Sequence, residues 1–325
     1  MVSAKRNYLD ATNRRFLTQV SLQCILMLQI PTELALLTRL GTISLDSNFI
    51  VNTIPSEIFG ISSLRNLTLD GNELRRGSIP TTVGQATGLQ TLRLAGNRFS
   101  GTIPTQLNRL TNLQVLSLAN NTAIEGRIPT EFGNFRNLES LSLAQTEIRA
   151  NVPSEYGRLT RLRELNISHT LVGGALPTDF GRLTRLETID FTGSRFRQAF
   201  PAFLGSLTGL TMLMLGNNTI SGTIPTELAN LRNLKILDLH SNELTGLLPT
   251  ELGRLTILGT FTNHELAFFC FFSINCARSL CSLSHANEMC VQHFSIVWQK
   301  TSPSGETHCC LALFPRKSAT SEIGT

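Results

Sequence analysis

Residues 89–110 read Leu89-Gln-Thr-Leu92-Arg-Leu94-Ala-Gly-Asn97-Arg-Phe99-Ser-Gly101-Thr-Ile103-Pro104-Thr-Gln-Leu107-Asn-Arg-Leu110. The same order of apolar residues returns at Leu234, Leu237, Leu239, Asn242, Leu244, Gly246, Leu248, Pro249, Leu252 and Leu255. Ten of the 12 prolines mark the period: Pro31, Pro55, Pro80, Pro104, Pro129, Pro153, Pro177, Pro201, Pro225 and Pro249, always 24 or 25 residues apart. A fixed period of that size specifies a solenoid, in which each unit covers its neighbour. Leu92 and Leu94 share a period of two, the mark of a short strand with one buried face. Equivalent strands begin at Leu40, Leu64, Leu113, Leu138, Leu162, Leu186 and Leu210, with a weaker one at Leu17. One unit alone buries too few side chains to offset the entropy of ordering its backbone, so stacking is obligatory.

Asn48, Asn72, Asn97, Asn121, Asn218 and Asn242 follow the strands where the chain turns into the core. A carboxamide both donates and accepts, which suits the unpaired N–H and C=O groups of a buried turn. The expectation is a ladder of stacked amides, weaker but unbroken where Thr146, Thr170 and Ser194 replace Asn. After all but one of these prolines comes Thr or Ser, the exception being Ala202, and often an acid (Glu33, Glu57, Glu131, Glu155, Asp179, Glu227, Glu251). This predicts a short helical turn whose hydroxyl caps the N-terminus. Glu155–Arg158, Asp179–Arg182 and Glu251–Arg254 are spaced as surface ion pairs on a solvated convex side, or as part of a basic docking stripe.

Composition narrows the function classes. The chain has 325 residues, 41% of them hydrophobic and only 16% charged, against roughly 25% charged in ordinary soluble domains. Disorder is excluded for most of the length. A net charge of +5 does not call for a nucleic-acid partner. The longest apolar run, Leu266 to Phe272, is too short for a transmembrane span. Met1 to Arg15 is polar, and the apolar stretch Ile25–Leu28 is too brief for a secretory signal. Residues 1–16 read as a polar N-terminal segment, 17–266 as the solenoid of about ten units, and 267–325 as a poorly ordered tail holding Cys270, Cys276, Cys281, Cys290, Cys309 and Cys310. That tail reads as a segment without a compact fold, as a disulfide-braced cap of unknown pairing, or, on weak spacing, as a zinc site from Cys276, Cys281, Cys290 and His293.

Outward positions on the strands form two columns. One runs Ser44, Thr68, Arg93, Ser117, Ser142, Asn166, Asp190, Met214, Asp238; the other runs Thr42, Asn66, Thr91, Val115, Ser140, Glu164, Thr188, Met212, Ile236. Most are small and polar. Met212, Met214 and Ile236 stand out as an apolar spot flanked by Asp190, Asp238 and His240, and form the candidate ligand-binding patch. Tolerated substitutions on a repetitive surface are the competing reading. Sequons occur at Asn66, Asn120, Asn166 and Asn217, although the repeat itself supplies Asn and Ser/Thr at this frequency. The six histidines are scattered and no nucleophile, base and orienting acid share a motif. The expectation is no catalysis, no cofactor and no metal.

The segments Gly77-Ser-Ile-Pro80, Gly101-Thr-Ile-Pro104, Gly126-Arg-Ile-Pro129 and Gly222-Thr-Ile-Pro225, added to the leucine pattern, make the chain resemble the plant-type leucine-rich repeat family from about Leu17 to Leu258. The resemblance implies a curved right-handed superhelix with a parallel β-sheet on its concave face. A second short strand is implied after the Asn turn, and helical or 3-10 turns on the convex face. It also implies receptor-like recognition of a protein or peptide on the concave face, with signalling and a cell-surface location. An intracellular or structural adaptor built from the same repeats, or a fragment of a larger receptor-like protein, is the alternative. The cysteine-paired N-terminal cap usual in that family has only Cys24 here, and Ala267 to Thr325 carries no glycine-rich phosphate loop.

Overall fold

A computed structural model describes residues 19–21, 29–74, 77–263 and 296–297. The sequence expectations for the polar N-terminal segment and the cysteine-containing tail lie outside them, apart from one two-residue strand at 296–297. Each unit is one coil of a curved leucine-rich repeat solenoid. The concave strands are three residues long, among them Thr91–Arg93, Glu164–Asn166, Thr188–Asp190, Met212–Met214, Ile236–Asp238 and Thr260–Thr262. They join in a 12-stranded sheet, parallel from Gln19–Ser21 to Thr260–Thr262, with Ile296–Val297 antiparallel at its end. In every concave strand from Thr42–Ser44 to Ile236–Asp238 the middle residue is buried, as in Leu92, Leu165 and Leu213, while its neighbours are turned outward. This is the alternation of a strand with one face in the core.

One residue per coil then adopts a left-handed conformation: Ser47, Gly71, Gly96, Asn120, Gln145, His169, Gly193, Asn217 and Ser241, with φ between 51° and 66°. The ladder residue follows it. Asn72 Nδ2 donates to Leu69 O at 3.0 Å within its coil and to Leu45 O in the preceding coil at 2.9 Å, while Oδ1 accepts from Ile50 N at 3.1 Å. Asn97, Asn121, Asn218 and Asn242 repeat this set. Asn48 bonds the carbonyls of Leu45 and Asp46 in its own turn. The side chains therefore bond backbone groups of two successive coils. Each carbonyl at this turn is shared, as Leu69 O is by Asn72 and Asn97.

Where Asn is absent the bonding thins and moves. Among the described residues Thr146 Oγ1 reaches only Leu143 O, at 2.7 Å, and Ile124 N turns instead to Asn121 O at 2.9 Å. The second sheet is longest in this region. Ala123–Arg127 and Glu147–Asn151 span five residues and Leu171–Gly174 four, within a five-stranded sheet from Ser100–Thr102 to Arg195–Phe196.

Each coil closes with a five-residue 3-10 turn, from Thr32–Leu36 to Thr250–Arg254. The expected hydroxyl cap is absent: proline takes the N-cap position and no side chain caps it. The φ of proline, −68° at Pro31, already sets the turn. The Thr or Ser hydroxyl leans on the next carboxylate instead, as in Ser56 to Glu57 at 3.2 Å. Of the three expected ion pairs, Asp179–Arg182 closes at 3.2 Å. Among the described residues no salt bridge joins Glu155 to Arg158 or Glu251 to Arg254, because water solvates these arginines as well as an exposed carboxylate would.

Glycines on the convex side let neighbouring turns touch. A Cβ placed on Gly133 would lie 2.5 Å from Glu155 O, and one on Gly205 2.3 Å from Glu227 O. One aliphatic core runs from Ile30 to Leu255. Phe191 and Phe196 stack within it at 4.9 Å between ring centroids. Tyr156 is fully buried, in the place that Phe132 and Phe180 take one coil away on either side. Among the described residues no helix is long and apolar enough to cross a membrane.

Candidate functional site

The sheet register aligns the candidate residues in two rows. Thr188, Met212, Ile236 and Thr260 pair in succession, as do Asp190, Met214, Asp238 and Thr262. Met212 and Ile236 are therefore side by side about 4.8 Å apart, and Met214 sits between two aspartates. Period-two alternation turns all three apolar side chains out of the core, where they are half-buried. The spot expected to be exposed is thus a shallow apolar floor, because adjacent side chains on a parallel sheet shade one another.

The acids flanking it differ. Asp238 Oδ1 accepts from the Thr262 hydroxyl, from His240 N at 3.2 Å and from His240 Nδ1 at 2.5 Å. A carboxylate can only accept, so Nδ1 carries the hydrogen; Nε2 then takes a hydrogen bond from Asn217 Nδ2 at 2.8 Å. The imidazole occupies space left by Gly216, on which a Cβ would lie 2.3 Å from the ring. Among the described residues Asp190 has only the Thr192 N–H, at 3.1 Å. Asp190 is accordingly the acid available to a cationic group, while Asp238 and His240 form a fixed wall.

The rest of the concave face offers few anchors. Arg93 is held by Asp70, with Nη2 at 2.6 Å and Nε at 2.7 Å from Oδ2. Ser140 donates to Glu164 at 2.9 Å. Of the sequon residues, Asn120 and Asn217 are exposed in the left-handed turns; Asn66 and Asn166 are half-buried on strands, where Asn66 donates to Thr42 Oγ1 at 3.1 Å. Among the described residues no three His, Cys, Asp or Glu side chains come together as metal ligands do.

Sequence reasoning missed one feature. At the start of the strands beside the patch lies a notch of about 470 Å³, between Arg185 and Glu187 on one wall and Asn233 and Lys235 on the other. Its floor is Gly209 and Thr211. The signal was the loss of bulk at both positions of one coil, where the coils on either side carry Arg185 and Glu187 and Asn233 and Lys235.

Comparison with known proteins agrees with this architecture. No curated protein matches the chain. A solved TDR receptor is 29% identical with a TM-score of 0.69, the match covering 72% of this chain and 41% of that one. The Arabidopsis receptor kinase HAESA, solved with the peptide hormone IDA and the co-receptor SERK1, is 30% identical with a TM-score of 0.68, covering 73% of this chain and 40% of that one. The chain thus spans about two fifths of the length of either receptor structure. A plant ice-binding protein is 29% identical with a TM-score of 0.64, covering 78% of this chain and 79% of that one. The model of the leucine-rich repeat region matches residues 63–172 and 154–308. That span exceeds half of the sequence, and the chain belongs to the leucine-rich repeat family.

Proposed function

We propose that this chain is a non-enzymatic binding module that takes a protein or peptide segment along its concave face, in the manner of a receptor-like protein at the cell surface. Met212, Met214 and Ile236 form the floor and Asp190 the acidic contact, with Asp238 and His240 as the adjoining wall. The observation that carries this reading is the register, which gathers the face's apolar bulk onto two adjacent strands. Polarizable thioethers beside an aliphatic group adapt to varied apolar side chains, and the single available acid favours a partner with a basic residue. The solved HAESA complex, whose partner is a peptide hormone, supports the same class of ligand.

Phage-displayed peptides selected on the full chain test this. Binders should be enriched in apolar residues next to Lys or Arg, and Met214→Asp should reduce their capture at least tenfold. A selected set that binds Met214→Asp and the wild type equally rejects the patch.

A further inference from the structure

The notch lies at the entrance to the same two strands, since Thr211 directly precedes Met212 and Lys235 directly precedes Ile236. Its own polar groups are unequally used. Arg163 Nη1 holds Glu187 at 2.6 Å. Two backbone donors at the notch are spent: Thr211 N donates to Glu187 O and Lys235 N to Thr211 O, both at 2.8 Å. The Thr211 hydroxyl also gives to Glu187 O, at 3.0 Å, and the Asn233 amide to Thr208 O at 3.0 Å. Arg185 and Lys235 remain on opposite walls, and among the described residues neither side chain has a hydrogen bond or ion pair. Ile257, which is 48% exposed, adds an apolar edge.

We propose that this notch binds a carboxylate carried by the partner segment. Two cations face a space with one balanced ion pair and no other charge, so the net field there is positive. A guanidinium on one wall offers a fork that matches a carboxylate, and the ammonium opposite adds a second charge-assisted bond. The volume accommodates a side chain or a chain end, and Ile257 suits the aliphatic stem that carries the group.

The proposal rests on the concave-face reading for one of its parts, the orientation of the ligand. Arg185 and Asp190 bracket one strand, about 17 Å apart at about 3.3 Å per residue. A segment lying across Met212, Met214 and Ile236 then has its acidic group at the strand starts and its basic group at the strand ends.

The test is titration of the full isotope-labelled chain, followed by backbone amide NMR. Two monoanionic probes separate the sources of the carboxylate: N-acetyl-leucine, which has only a terminal carboxylate, and N-acetyl-glutamate α-amide, which has only a side-chain one. At least one should give saturable shifts centred on Gly209, Thr211 and Lys235. Affinity should fall several-fold as salt rises from about 0.01 M to 1 M, where the screening length shrinks from about 30 to about 3 Å. The combined Arg185→Ala, Lys235→Ala variant should lose the saturation while keeping its circular dichroism. Absence of saturation with both probes, or equal binding by the double variant, overturns the proposal. Met214→Asp should titrate like the wild type, so failure of the apolar floor and failure of the notch are told apart.

Discussion

Asn97 belongs to one coil and Leu69 to the coil before it, yet Asn97 Nδ2 donates to Leu69 O at 2.9 Å. The same nitrogen serves Leu94 O at 3.1 Å, and Oδ1 accepts from Leu74 N at 3.1 Å. Truncating Asn97 leaves Leu74 N without its acceptor and removes one of the two asparagine donors to Leu69 O and to Leu94 O, so two coils lose bonding at once. Asn97→Ala should destabilise the protein by about 3 kcal/mol, near the top of the range for an unsatisfied buried group. Thr146→Ala removes one bond and should cost about 1 kcal/mol. Urea unfolding of the two variants compares them directly, and equal losses would contradict the coil-bridging role.

Tyr156 gives a pH-dependent outcome. Burial, and secondarily the negative charge of Glu131, hold its phenol well above the usual tyrosine range, and among the described residues its Oη has no hydrogen-bond partner. Only the unfolded chain can release this proton near pH 10. The native state's advantage is therefore complete below about pH 10 and declines as the pH rises toward the folded value. Tyr156→Phe, which restores the residue type of Phe132 and Phe180, should raise stability by about 1 kcal/mol at pH 7. The gap between variant and wild type should widen above pH 10. Parallel stability curves to pH 11 would refute this.

Two glycines should behave oppositely. At Gly205 the atom in the way is the backbone carbonyl of Glu227, which cannot rotate aside. Gly205→Ala should cost about 2–3 kcal/mol through forced separation of the turns. At Gly216 the obstacle is the His240 ring, a side chain that can swing. Gly216→Ala should cost under about 1 kcal/mol but displace the imidazole, seen as a shift of its NMR signals and loss of the Asn217 contact.

Within the patch, Ile236→Asp should reduce capture of concave-face ligands as strongly as Met214→Asp. Ser142→Asp, three coils away on the same column, should leave capture unchanged. Biolayer interferometry with phage-selected peptides measures all three, and a loss with Ser142→Asp would spread the site beyond this patch.

Strand position and register were legible in the sequence because each rests on one local rule. Alternation within Leu92–Leu94 fixes which residues face inward, and the proline spacing fixes which coil stacks on which. That is why the sequence alone places Met212, Met214 and Ile236 together. The turn chemistry was less legible. Threonine after proline reads as a cap in isolation, but proline had already set the geometry. The reach of Asn97 into the preceding coil depends on distances between coils, which no single unit encodes. The notch was hidden for a related reason: it consists of what Gly209 and Thr211 lack relative to Arg185 and Lys235. The histidine beside the patch could be named, but its hold on Asp238 could not.

The close approach of neighbouring turns at Gly133 and Gly205 has a geometric consequence. Strand hydrogen bonds fix the pitch along the inner wall, so the radius of the arc depends on how closely successive coils approach at the outer wall. A methyl group there would change the pitch on that side alone and alter the bend. The curvature of the inner wall is thus set in part by residues on the opposite side of the solenoid.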